Sequence, residues 1–211
     1  MMLRKLSVIA GLSLAFAGAS VQAKGFESLL KGDYAFTGEA VCLVSRDGFD
    51  PNTLAPVGPP NPWPRIQSFS VHGVRTFNGD GTGHVVARVV TIAHPYTVPA
   101  NPPNLSAPVF NRGSAGVVDI ESPFTYAVSP DLKVEIETPL VTGNVLSGVR
   151  AGQTLEITQL PAFRGFVSQN LHSVTLVHDE AAVEIHSFSN GDVDSRICHR
   201  SRVLLERKAG K

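Results

Sequence analysis

The chain has 211 residues, 17% of them charged and 43% hydrophobic, with 18 basic side chains set against 18 acidic ones. That balance excludes the basic stripe with which a nucleic-acid binder captures phosphates. A chain of this size fits one domain with a sizeable core, and nothing in it demands two.

Residues 1–23 read as a signal peptide. Arg4 and Lys5 follow the start, an apolar run extends from Leu6 to Ala17, and Val21-Gln22-Ala23 has the small-x-small form of a signal-peptidase site. The run is too short to span a bilayer and no later stretch reaches about 18 uncharged apolar residues, so no retained membrane anchor is expected. The mature chain, 24–211, is expected to be exported to a periplasm or outside the cell as a single β-barrel domain. Without Arg4 and Lys5 its basic side chains fall to 16 against 18 acidic ones.

Period-two alternation and turn residues dominate from Asp33 onward, and no sustained helical period occurs. A first strand runs from Asp33 to Ser45, with Tyr34, Phe36, Gly38, Ala40, Cys42 and Val44 on one face. Further strands are expected at 68–77, 84–93, 116–128, 133–141, 154–160, 163–168, 172–178, 182–188 and 193–206, and one helical turn near Phe26 to Leu30. Phe77 to Gly83, "FNGDGTG", reads as a tight hairpin, because glycine, Asn78 and Asp80 tolerate positive φ. Its spacing does not suit an EF-type calcium loop, which would put Ala87 where a bidentate glutamate must stand. Two long connections, 50–64 and 94–108, hold 11 of the 15 prolines. If consecutive strands pair antiparallel, both loops leave at one end and the tight hairpin lies at the other. Trp63 and Tyr96 sit in these loops, where rigid aromatic-bearing segments can form a lid or a docking surface.

An even number of antiparallel strands lets the first and last pair, closing a barrel and removing its edges. Cys42 and Cys198 would then lie at similar heights on neighbouring strands. In an exported chain they read as one disulfide. The bridge would close a loop of about 157 residues, worth about 5 kcal/mol by chain entropy before strain.

The segments "GDYAFTGEAVCLVS", "TFNGDGTG", "PFTYAVSPDLKVEI" and "SRICHRSRVLL" resemble small exported bacterial β-rich proteins of unassigned function. More distantly the architecture resembles calycin-type barrels, the lipocalins and allene-oxide-cyclase-like proteins, which implies an enclosed site for a small apolar ligand. The Gly-x-Trp that opens a lipocalin's first strand is absent, with Gly32-Asp33-Tyr34 in its place.

Chemistry-bearing patterns are sparse. Seven histidines, at 72, 84, 94, 172, 178, 186 and 199, contain no His-x-His or His-Glu-x-x-His spacing, so no metal and no other cofactor is expected. His94, His172 and His186 fall toward the loop-bearing end, the basis of an alternative reading as an enzyme with a histidine cluster at the barrel mouth. Pairing His178 with Val183 across a turn, however, puts His172 on a face with Val174, Leu176 and Ile185, and His186 on the other face with Ser173 and Thr175. No Gly-x-Ser-x-Gly elbow occurs, and Cys198 and His199, adjacent on a strand, point to opposite sides. Glu135/Glu137 and Asp192/Asp194 read as solvated strand faces.

Arg196 to Arg202, "RICHRSR", carries a conflict. Alternation puts Arg196, Cys198, Arg200 and Arg202 on one side and Ile197, His199 and Ser201 on the other, whereas Cys42 shares the apolar Tyr34/Phe36 face. Bridged neighbours in a regular ladder share a face. Three outcomes are open: a bulge shifts the phase, the cysteines stay free, or the bond forms and the arginines point inward. The last builds a cationic interior suited to an anionic ligand such as a fatty acid. The leading expectation is therefore a non-catalytic barrel binding a small hydrophobic or amphipathic, anionic ligand through Trp63, Tyr96, Tyr34, Phe36, Arg196 and Arg200. A second is a protein-interaction module using loops 50–64 and 94–108.

Overall fold

The computed structural model describes residues 25–58, 64–98, 109–111 and 113–208. The signal-peptide reading, Trp63 and the tips of both long loops lie outside these residues. The described chain is all-β. Its strands are β1 (Lys31–Ser45), β2 (Arg65–Asn78), β3 (Thr82–Ala93), β4 (Tyr96–Val98), β5 (Val109–Asn111), β6 (Ser114–Val128), β7 (Lys133–Glu137), β8 (Leu140–Ser147), β9 (Thr154–Thr158), β10 (Phe163–Val167), β11 (Ser173–Val177), β12 (Val183–Phe188) and β13 (Val193–Glu206). Eleven of them form one antiparallel sheet, and β4 and β5 pair separately. A 3-10 turn at Phe26–Leu29 occupies the place of the expected helical turn.

The pairing follows from a few long strands and a line of breaks. β1 is paired along both edges, with β2 on one side and β13 on the other. β6 and β13 each serve two partners in succession: β6 pairs with β8 through Val117–Glu121 and with β7 through Thr125–Val128. β13 pairs with β12 through Val193–Ile197 and with β11 through Ser201–Leu205. The short strands thus lie end to end as β7/β8, β9/β10 and β11/β12. Pro139 and Pro161 cannot donate to a ladder, Gln159 has φ 59°, and Asp179 to Ala182 carries no strand.

Three expectations are corrected here. The strand expected at 133–141 is two strands, because Thr138-Pro139 interrupts the ladder, and the second runs on to Ser147. Part of the second long loop forms the β4–β5 hairpin, with Tyr96 opposite Asn111. The hairpin expected between 172–178 and 182–188 does not exist: β11 and β12 occupy successive stretches of β13, and even-numbered side chains stay buried across the break, from Val174, Leu176 and His178 to Glu184, His186 and Phe188, so the reversal of faces expected of a hairpin does not occur.

The end carrying the Asn78–Gly81 turn is filled by packed rings. Phe77 stacks edge-on against Tyr34 and Phe124 at 5.3 Å and against Tyr126 at 4.9 Å. The Tyr126 hydroxyl meets the carbonyls of Glu27 and Leu30 and accepts from Gly79 N–H, so the 3-10 turn is tied across this end. Tyr34 donates its hydroxyl to the Leu171 carbonyl at 2.9 Å. Aromatic burial, with every polar handle satisfied, makes this end a plug.

At the seam, Cys42 stands directly opposite Cys198, in a ladder whose register is unbroken from Tyr34 to Ser45. The two cysteines are joined in a disulfide spanning 156 residues of sequence. Of the three outcomes left open by "RICHRSR", the bond with inward arginines is the one the fold adopts: Arg196, Arg200 and Arg202 are 7%, 5% and 6% exposed.

Candidate functional site

Away from the plug, the interior opens into a cavity of about 470 Å³. One wall is apolar and comes from β3, β6, β8 and β9, with Val89, Val118, Ile120, Val141, Leu155 and Ile157 lining it. The facing wall comes from β2, β12 and β13 and sets Gln67, Arg75, His186, Arg196, Arg200 and Arg202 among Phe69, Val71 and Phe188. Alternation explains the second wall. In β13 the arginines share the phase of Cys198, and the disulfide fixes that phase inward. In β2, Arg75 shares the phase of Phe69, Val71 and Phe77, all buried. Gly38 on β1 makes room for Arg202, since a Cβ there would fall 2.4 Å from its Cδ.

The charges on the polar wall are compensated unevenly. At the rim, Asp194, 1% exposed, accepts from Arg65 Nη2 at 2.8 Å and from Arg150 Nη1 at 2.6 Å. Burial alone would raise the Asp194 carboxyl, but the hydrogen bond from Arg150 and the charges of Arg65, Arg150 and Arg196 hold it below the usual carboxylate range. Further in, Glu184 Oε1 accepts from Arg200 Nη2 at 2.5 Å and from His186 Nε2 at 2.9 Å. Burial works against its ionised form and is outweighed by Arg200 and His186, which keep it a carboxylate. Because a carboxylate only accepts, His186 carries its proton on Nε2, and its Nδ1 has no partner among the described residues. Burial, then the charge of Arg196, pushes the His186 imidazole down to about 4, so it is neutral. His178, against the Phe163 ring at 4.1 Å, is pushed down to about 3, first by burial and then by Arg200.

At the floor the compensation weakens, with Glu184 acting on Arg202 only at a distance. Arg202 Nη1 donates to the backbone carbonyls of Glu39 and Ser201, at 3.1 and 2.6 Å. Its guanidinium is pushed down to about 9 by burial and by the neighbouring Arg200 and Arg75. Arg75 is 5% exposed and lies over the rings of Phe36, Phe124 and Phe163 at 5.6, 5.1 and 5.5 Å. Its Nε and Nη1 have no acceptor among the described residues, and burial alone pushes it down to about 10, with no acidic group contributing.

No protein-family model matches this chain, and no curated protein matches it. Among solved structures, the enduracididine biosynthesis enzyme MppR, complexed with the condensation product of pyruvate and imidazole 4-carboxaldehyde, aligns over 97% of both chains at 11% identity with a TM-score of 0.21. That score is too low to carry an argument about fold or function.

Of the residues singled out in the sequence, Phe36, Arg196 and Arg200 line the cavity. Tyr34 belongs to the plug instead. Tyr96 is placed by its backbone in β4, and Trp63 lies outside the described residues. The proposed histidine cluster does not assemble. His94 is exposed beside Ser68 at 2.9 Å. His172 stands at the plugged end, its Nδ1 2.5 Å from Glu206 Oε2, because β11 begins beside the last residues of β13. His186 is buried inside, and no group of three or more metal-ligating side chains is found among the described residues. Nor is Asp194 on a solvated face: the strand's phase turns it inward with the arginines.

Arg75 and Glu184 were missed by sequence reasoning. For Arg75 the signal was present, an arginine in period-two alternation with Phe69, Val71 and Phe77. Glu184 and His186 keep the even parity of Val174, Leu176 and His178, and the expected His178–Val183 hairpin pairing is what put His186 on the opposite face.

Proposed function

We propose that the ladders form a closed barrel which, exported from the cell, holds a small amphipathic anion in its interior without transforming it. The columns β1, β2, β3, β6, β7/β8, β9/β10, β11/β12 and β13 pair in that order, and the pairing of β13 with β1 supports closure. The disulfide is compatible with an oxidising compartment. The observation that carries the reading is the two-sided cavity. An apolar wall and a facing wall of arginines select a molecule with a hydrophobic body and a negative group. The volume falls within the range of about 300–1,000 Å³ common for small-molecule pockets.

The test is native mass spectrometry of the protein purified under mild conditions, followed by solvent extraction. An adduct that survives desalting and yields an extractable organic acid supports the reading. A protein that carries no adduct and binds no acidic amphiphile at millimolar concentration defeats it.

A further inference from the structure

We infer that the ligand binds head-inward, its oxyanion group held at the cavity floor by Arg75 and Arg202 and its apolar tail directed along the Val118–Ile120 wall toward the Arg65–Arg150 rim. This rests on the ligand-binding reading above and adds to it where the charged group sits, which class of molecule fits and which end enters first.

The argument is one of unequal compensation. The rim arginines already share Asp194, and Arg200 already has Glu184. A second anion at the rim would meet these carboxylates as well as the guanidinium groups. Arg75 has no carboxylate partner among the described residues, and its guanidinium lies over three phenylalanine rings. A cation over an aromatic face recovers part of the lost hydration, but leaving a guanidinium buried and without an acceptor for Nε or Nη1 is unfavourable. Arg202 adds a second positive charge close enough to repel the first, and both residues line the cavity. An oxyanion brought to this floor relieves both the lost hydration and the mutual repulsion. A planar guanidinium fork suits a carboxylate or a phosphate monoester equally, so the class is a single-tailed organic acid.

Binding is measured by calorimetry with four twelve-carbon probes: dodecanoate, dodecyl phosphate, dodecanol and dodecyltrimethylammonium. The two acids are expected to bind at least about 10–100-fold more tightly than the alcohol, as befits hydrogen bonds to charged groups. The preferred acid tells whether carboxylate or phosphate is the natural head. Lengthening the tail should tighten binding by about fourfold per methylene until the tail reaches the rim, and then no further. Arg75→Met and Arg202→Gln should each weaken acid binding by about 10–100-fold and leave dodecanol binding unchanged, whereas Arg65→Gln with Arg150→Gln should alter it by less than about threefold.

A probe that needs no variant adds an independent check. Dodecanoate bearing a fluorophore at the tail end should bind, and its methyl ester should bind at least about 10-fold more weakly. If the acids bind but the rim variants are the ones that abolish binding, or if the ester binds as tightly as the acid, the head-inward arrangement is overturned while ligand binding stands. If no probe binds the unaltered protein, the ligand-binding reading itself falls.

Discussion

The two ends of this molecule are made from the same strands and treat burial in opposite ways. At the plugged end, Tyr34, Phe77, Phe124 and Tyr126 pack edge to face, with each hydroxyl paired. Toward the other end the same columns enclose Arg75, Arg196, Arg200 and Arg202, which are nearly as inaccessible, with Arg75 Nε and Nη1 and Arg196 Nε lacking a partner among the described residues. Burying aromatic surface stabilises the fold, while burying unpaired charge opposes it. One end therefore carries stability, and the other holds buried charge that opposes it.

The sharpest way to break this contrast is Phe77→Ala. The side chain is 1% exposed at the centre of the plug, and its loss should reduce unfolding free energy by about 3–5 kcal/mol in urea titration. Whatever fraction remains folded should keep its ligand affinity. An equal loss of affinity in the folded fraction would show the ends to be one unit. Replacing Cys42 and Cys198 together by alanine should lower stability by about 2–5 kcal/mol, measured the same way. Here the ligand should also weaken, because the disulfide fixes the inward phase of Arg196, Arg200 and Arg202.

Acid should act on the arginine-bearing half first. His178 and His186 are held neutral, at about 3 and about 4 against an ordinary 6.5, so the unfolded chain binds more protons than the folded one as pH falls below 6.5. Stability should accordingly decrease from pH 6.5 toward 4, by about 1.4 kcal/mol per pH unit for each proton taken up on unfolding. Below the ordinary glutamate value of 4.5, Glu184 adds a loss of the same sign, since its carboxyl is lowered in the folded state. His186→Gln should flatten the slope between pH 6.5 and 4 by about one proton, read from thermal melts across that range. The smallest effect is the most diagnostic. Arg75→Met should leave the ligand-free protein unchanged or about 1 kcal/mol more stable, because it removes an uncompensated charge. In saturating dodecanoate the order of stability should reverse.

Much of the fold was legible in the alternation. Cys42 and Cys198 could be placed at one height on adjacent strands, and the inward arginines were one of three stated outcomes. The turn at Asn78–Gly81 was read from its glycines, which indeed adopt positive φ at Gly79 and Gly81. What could not be read were the interruptions. Thr138-Pro139 reads as the interior of one strand, and Gln159 to Ala162 and Asp179 to Ala182 look like ordinary hairpin turns or strand ends in sequence. In the folded chain β6 carries on past the first and β13 past the last, so that β7 continues β8 and β11 continues β12.

The sequence by itself determined the strand class and the parity conflict at "RICHRSR", because side-chain direction in a strand has a period of two and needs only local information. Tertiary structure alone decided that the cysteines bond, which parity faces inward and which arginines go without a partner. Those depend on neighbours brought together by the ladders: Gly38 leaving space for Arg202, Glu184 taking Arg200, and nothing among the described carboxylates reaching Arg75.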